Sequence, residues 1–265
     1  MTSQQLDTTH TINQQVTTFR HTLVQMKNEI AAALPAHMTG DRFLRLILTE
    51  VRKNPELAEC STESIFGGIL TAAALGLEPG LNGECWLIPR KVGKGPGSRK
   101  EATFQVGYKG IIKLFWQNPL ASYLDTGVVY ANDAWKFRKG LDPILEHTPA
   151  TGDRGAVRGY YAVVGLTTGA RIFDFFTPKQ ISALRGTAGP NGGISDPEHW
   201  MERKTALLQV MKMAPKSTDL ASAASVDGTV QTVEAAAQVA AASTGPVNPT
   251  TGEVLEAEPV EGGAA

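Results

Sequence analysis

Apolar residues recur at helical spacing through the first third of the chain, then shift to the shorter runs and alternations of strands. Between residues 41 and 53, Phe43, Leu44, Ile47, Leu48 and Val51 fall on one face of a helix, and Arg42, Arg45, Arg52 and Lys53 occupy the others. Thr39 or Asp41 supplies a cap and Pro55 ends the stretch. A helix is also expected over residues 17–33, closed by Pro35. Ser61 or Thr62 caps a third helix running to Leu75, with Ile65, Phe66, Ile69, Leu70 and Ala73 inward and Gly76 just past its end. The small residues Thr71-Ala72-Ala73-Ala74 let this helix approach a neighbour closely.

Beyond residue 83 the period changes. Residues 84–89 and 102–106 read as strands around a loop holding Arg90, Lys91, Lys94, Arg99 and Lys100. Residues 105–117 read as a strand end running into a short amphipathic helix anchored by Ile111, Ile112 and Phe115. Gly107 and Gly110 bracket Tyr108-Lys109 at that junction. Such a turn brings backbone N–H groups and a cation to one point, which suits an anion such as phosphate. The same glycines serve equally well for backbone geometry alone. Strands are expected over 122–130 and 134–138, and a hairpin over 155–167 and 170–176 turning at Thr168-Gly169. Thr177-Pro178 is a cap followed by proline at the first helical position, opening a helix to about Arg185. After a glycine-rich loop at 186–193, Asp196-Pro197 repeats the signal and starts a helix to about Met213, ended by Pro215. Helices, then strands, then helices predict an α+β fold.

Composition adds a boundary. After Thr218 there is no aromatic and no basic residue. Such a segment buries too little apolar surface to offset its ordering entropy, so residues 217–265 are expected to form a disordered acidic tail. Residues 230–242 carry the one weak helical pattern within it. Residues 1–30 are expected to be flexible and partly helical, and 31–216 to form the core. The tail holds seven acidic residues, leaving 19 acids against 25 bases in residues 1–216. The net charge of −1 thus divides into a body of +6 and a tail of −7. A basic body points toward a polyanionic partner.

Several function classes find little support. No run nears the roughly 18 apolar residues of a membrane span, and the polar N-terminus lacks the layout of a signal peptide. Cys60 and Cys85 are the only cysteines and form no CxxC pair, so a reducing cytoplasm is expected. No Gly-Lys-Ser or Gly-Lys-Thr occurs, and Pro96 would remove a donor from any phosphate nest in the 93–98 loop; ATP hydrolysis is not expected. His10, His21, His37, His147 and His199 are too scattered to define a metal site, and no nucleophile elbow is present. Nucleic-acid binding fits better. Bases cluster at Arg90–Lys100, Lys109, Lys113, Lys136–Lys139, Arg203-Lys204, Lys212 and Lys216, interleaved with Trp86, Phe104, Tyr108, Phe115, Trp116, Trp135, Phe137 and Trp200. That mixture suits single-strand binding, although Trp86, Phe104, Phe115 and Phe137 are equally at home in a core.

Five blocks, in order, resemble the RecT family of phage single-strand annealing proteins. They are Ala33-Leu-Pro-Ala-His-Met-Thr-Gly-Asp-Arg-Phe-Leu-Arg45 through Thr49-Glu-Val-Arg-Lys-Asn-Pro55, Leu75-Gly-Leu-Glu-Pro-Gly80, Gln105-Val-Gly-Tyr-Lys-Gly110, Thr177-Pro-Lys-Gln-Ile181 and Met201-Glu-Arg-Lys-Thr205. The resemblance covers roughly residues 30–216. It implies an antiparallel sheet flanked by N-terminal and C-terminal helices. The implied activity is ATP-independent binding of single-stranded DNA and annealing of complementary strands in phage-type homologous recombination. Rings or helical filaments of the chain itself are implied, acting beside a phage 5′→3′ exonuclease in the bacterial cytoplasm, at the nucleoid. Nascent duplex and a host single-strand-binding protein are the further expected partners, and no membrane. No protein-bound cofactor is expected; Mg2+ would assist only through the DNA.

By the same resemblance Lys109 and Gln105 meet the DNA backbone with Tyr108 alongside, and Lys179 and Lys204 line the same groove. Arg203, Lys113, Arg90 and Lys91 complete the expected set. The chain departs from the family pattern at Leu208-Gln209, where a basic pair is common, and in the position of Trp200. A plain single-stranded DNA-binding protein is the alternative, predicting tight binding with slow annealing. A nuclease or nucleotide-driven enzyme would need metal- or ATP-dependent turnover.

Overall fold

The computed structural model describes residues 16–185, 196–215 and 217–243, and the mixed α+β order foreseen in the sequence is present. In chain order the elements begin with α1 (residues 16–25), α2 (Lys27–Ala33), α3 (Gly40–Lys53), α4 (Thr62–Ala74), β1 (Cys85–Val92), β2 (Arg99–Val106) and α5 (Tyr108–Trp116). They continue with β3 (Ala121–Tyr130), β4 (Ala134–Arg138), β5 (Ile144–Thr148), β6 (Val157–Leu166), β7 (Arg171–Phe176) and α6 (Pro178–Arg185). The last are α7 (Trp200–Met211), α8 (Thr218–Val226), β8 (Thr229–Val230) and α9 (Val233–Ser243). Two units are formed, one from residues up to 115 together with 217–243, the other from residues 116–216.

The first unit is organised around α4. Its positions are apolar or small on every side, which is the pattern of a helix with no solvent face. Every residue from Ser64 to Ala74 is buried. Ser61 caps it, its Oγ accepting from the Ser64 N–H at 3.3 Å. Gly67 and Gly68 permit close approach: a Cβ on the first would overlap the Gln231 backbone, and on the second the Leu87 side chain. β1, β2 and β8 form an antiparallel sheet in that order, with α9 packed on α4. Phe43 and Ile47 of α3, and Phe19, Leu23 and Ile30 before it, close the rest of this core.

The second unit carries the antiparallel sheet β3-β6-β7 and the β4–β5 hairpin. α7 packs on β6 and β7 through Ala206, Leu207, Val210 and Met211. The hairpin lays Trp135 on Tyr161 and Phe175, with ring centroids 5.6 and 5.1 Å apart, and Phe137 on Phe175 at 5.7 Å. Asp133, just before β4, is buried and accepts from the N–H groups of Tyr130 and Ala150, both at 2.9 Å. Arg154 donates to it at 2.6 and 3.0 Å, and His147 Nε2 lies 2.9 Å away. The Arg154 hydrogen bonds, more than any other contact, hold this carboxyl well below the usual carboxylate range.

One boundary differs from that expected. Residues 217–243 belong to the folded part rather than to a disordered tail. Leu220, Ala223, Val226 and Ala236 are buried: α9 packs on the small-sided α4, and α8 packs on α9 and β2. Residues 244–265, with Glu253, Glu256, Glu258 and Glu261, lie outside the described residues, as do residues 1–15 and the 186–193 loop. The helix expected over residues 17–33 is present as α1 and α2, and it contributes Phe19, Leu23 and Ile30 to the core.

Candidate nucleic-acid interface

The β2–α5 junction is built by glycines that bring three backbone segments together. The Gly107 N–H donates to the Glu84 carbonyl at 2.7 Å. A Cβ on Gly107 would overlap the Gly83 carbonyl oxygen, and one on Gly110 the Glu84 carbonyl oxygen. These two glycines therefore serve backbone approach. Behind them Ile111, Leu114 and Phe115 are buried, as the amphipathic pattern requires.

Lys109 is exposed at the second position of α5, and no acidic residue occupies that helix's first turn. Tyr108 and Gln105 are half-buried beside it. Lys113, one turn further along, is differently placed. Its Nζ donates to the Gly76 carbonyl and to Glu84 Oε2, both at 2.8 Å. Glu84 Oε2 also accepts from the Glu78 N–H at 2.9 Å, and Glu78 is held by Arg42 at 2.8 and 3.1 Å. Lys113 thus ties α5 to the segment after α4, and the expectation that it faces DNA gives way to a structural role.

Strand alternation separates Arg90 from Lys91. Both are exposed, but they point to opposite faces of β1. Arg90 shares a face with Trp86, and the register sets Trp86 opposite Gln105 and Arg90 opposite Glu101. Of the other bases in this hairpin, Arg99 is paired with Glu101, and Lys100 is bound to Glu59 at 2.7 Å and Glu56 at 3.5 Å. Trp86, for which the sequence leaves core and DNA contact open, is 40% exposed. The buried Cys85 and the inward Leu87 on either side of it were the signal that it points outward.

In the second unit Lys179 stands at the second position of α6 and is exposed. Thr177 and Gln180 cap this helix reciprocally: the Thr177 N–H donates to Gln180 Oε1 at 2.8 Å, and the Gln180 N–H to Thr177 Oγ1 at 3.4 Å. Lys204 is buried on the inner face of α7, which overturns its reading as a groove lysine. Position four after Trp200 falls on the same side as Leu207 and Met211, which face the sheet. Arg203 is half-buried, donating to the Thr126 carbonyl at 2.7 Å and to Thr126 Oγ1 at 3.0 Å, with its guanidinium 3.9 Å from the Trp200 ring.

Cys60 and Cys85 are buried and form no disulfide; burial pushes the Cys60 thiol up to about 11. Among the described residues no group of three or more His, Cys, Asp and Glu is placed to hold a metal ion, and no helix is long and apolar enough to cross a membrane.

An α+β chain with exposed lysines at two strand–helix junctions is matched over residues 41–241 by the model of the RecT family, and it belongs to that family. Among its relatives is Protein RecT of Escherichia coli (strain K12), 37% identical over 207 residues that cover 76% of each chain. Membership assigns the chain to DNA binding and single-strand annealing in recombination. The match runs into α9, past the residue-216 limit of the resemblance and in keeping with a folded 217–243 segment.

Proposed function

We propose that this protein binds single-stranded DNA through its phosphates and anneals complementary strands without nucleotide hydrolysis. The observation that carries the reading is the placement of Lys109 and Lys179. Each is exposed, each is the second residue of a helix that follows a strand, and neither helix has an acid in its first turn. A cation at the positive end of a helix dipole is unfavourable by itself, and an anion there is favourable. At α5 a phosphate would satisfy both the lysine and the helix terminus, whereas at α6, where Thr177 and Gln180 cap each other and Pro178 has no N–H, it would meet chiefly the Lys179 ammonium.

Annealing then needs no bond chemistry. Two strands repel through their phosphates, and neutralising one backbone removes most of that barrier while its base edges stay free to sample a partner. Single phosphate contacts are weak, so side-by-side protomers in a ring or helical filament supply the residence time through avidity. A 5′→3′ exonuclease would supply the single strand, and a host single-strand-binding protein would be its previous occupant. Mg2+ would act on the DNA alone, and the work would be done in the cytoplasm.

The test is a pair of complementary, dye-labelled oligonucleotides mixed with the full chain, with EDTA present and no nucleotide. Annealing faster than in the protein-free mixture supports the reading. An unchanged rate despite strand binding would leave a plain single-stranded DNA-binding protein instead.

A further inference from the structure

We infer that Trp86 is a stacking platform for one nucleobase of the bound strand, an inference that rests on the reading above and deepens it. Trp86 stands outward on β1, directly opposite Gln105 in the β1–β2 register. The six-membered part of its indole is backed by two glycines. A Cβ on Gly107 would come within 2.7 Å of Trp86 Cζ3, and one on Gly83 within 3.3 Å of Cη2. Gly107 is itself held, its N–H donating to the Glu84 carbonyl at 2.7 Å. The ring is thus fixed against backbone while 40% of the residue stays open to solvent.

A large aromatic on an outward strand position, with glycines beneath part of its ring, leaves apolar ring surface available to a ligand. The surroundings fit a strand of nucleic acid. Gln105 is its cross-strand neighbour, Lys109 follows Gly107 by two residues, and Arg90 shares the Trp86 face. Glu101, the acid opposite Arg90, is paired with Arg99. Every base has a π-face, so stacking there is tolerant of sequence, and amide and cationic neighbours suit the adjoining phosphates. One stacked base per protomer would set the register of the strand and leave the remaining bases free to pair.

Phosphate contacts weaken with salt and ignore the bases, whereas stacking needs a base and contributes little to the salt slope. The experiment measures affinity of the full chain for oligothymidylate and for an abasic oligonucleotide of equal length, across a salt series, with Trp86→Leu and Trp86→Tyr alongside. The wild type should prefer the base-bearing strand. Trp86→Leu should lose about tenfold or more on that strand, little on the abasic one, and keep the salt slope. Trp86→Tyr should restore most of the loss. Equal affinity of the wild type for both strands, or an equal loss on both in Trp86→Leu, overturns the inference and leaves the phosphate grip standing. Failure of the wild type to bind either strand would overturn the functional reading itself. Without recourse to any variant, 2-aminopurine scanned through the bound oligonucleotide should be quenched at periodic positions; fluorescence unquenched throughout would also overturn the inference.

Discussion

The carboxylate of Asp227 accepts a hydrogen bond at 2.9 Å from the backbone N–H of Val106, a residue 121 positions earlier in the chain. Val106 directly precedes Gly107, so the C-terminal segment secures the strand end that carries Gln105, Tyr108 and Lys109. The Gly228 N–H donates to the Phe104 carbonyl at 2.8 Å, and Thr229 and Val230 pair with Phe104 and Thr103. With α8 and α9 in the core of the first unit, removing residues 217–265 is predicted to disrupt that unit. Truncation after residue 216 should abolish cooperative unfolding of that unit in urea. Asp227→Ala should cost about 1–3 kcal/mol, the usual consequence of stranding a buried donor. A truncated chain that unfolds like the full one would contradict this.

Lys109 and Lys113 sit one turn apart on α5, and their substitutions should separate cleanly. Lys109→Ala should leave stability within about 0.5 kcal/mol of the parent and lower the slope of log affinity against log salt by about one unit. Lys113→Ala should do the reverse. It strands Glu84 in a largely buried network, costing about 2–3 kcal/mol, and leaves the salt slope unchanged in the folded protein. Equal changes of slope for both lysines would place Lys113 on the DNA.

Acid should weaken the second unit through Asp133. Its carboxyl titrates below the ordinary carboxylate value because Arg154, the Ala150 and Tyr130 N–H groups and His147 all favour the ionised form. A group with a depressed folded pKa contributes its stability above the unfolded value near 4 and loses it as pH falls toward the folded one. Wild-type stability should therefore drop progressively below about pH 4. Asp133→Asn should be less stable at neutral pH and should lack this part of the acid dependence, as read by chemical denaturation at a series of pH values.

Short-range rules made much of the fold legible. The α3 stripe, the α4 cap at Ser61, the β6–β7 hairpin and the Thr177 cap each depend on residues within a turn or two of one another. β5 was not legible, because Ile144-Leu-Glu-His-Thr148 shows no clean alternation and becomes a strand by pairing with β4. The 217–243 segment is not legible because its alanines and valines bury little area each, and their value depends on α4, whose Gly67 makes room for the Gln231 backbone more than 140 residues away. At the candidate interface the exposure of Lys109 followed from helix periodicity. The engagement of Lys113 by Glu84 did not, since that partner is 29 residues distant on a different element. The outward side of Trp86 is legible by alternation from its neighbours Cys85 and Leu87.

The central claim is that the protein holds a strand by its phosphates while leaving most base edges free. The most direct measurement is an order-of-addition experiment. One strand is saturated with protein, its dye-labelled complement is added without nucleotide, and the rate of duplex formation is compared with that of the two naked strands. Faster pairing on the protein-coated strand is the predicted result. Slower pairing, with the strand demonstrably bound, would mean that the bases are sequestered and would contradict the account.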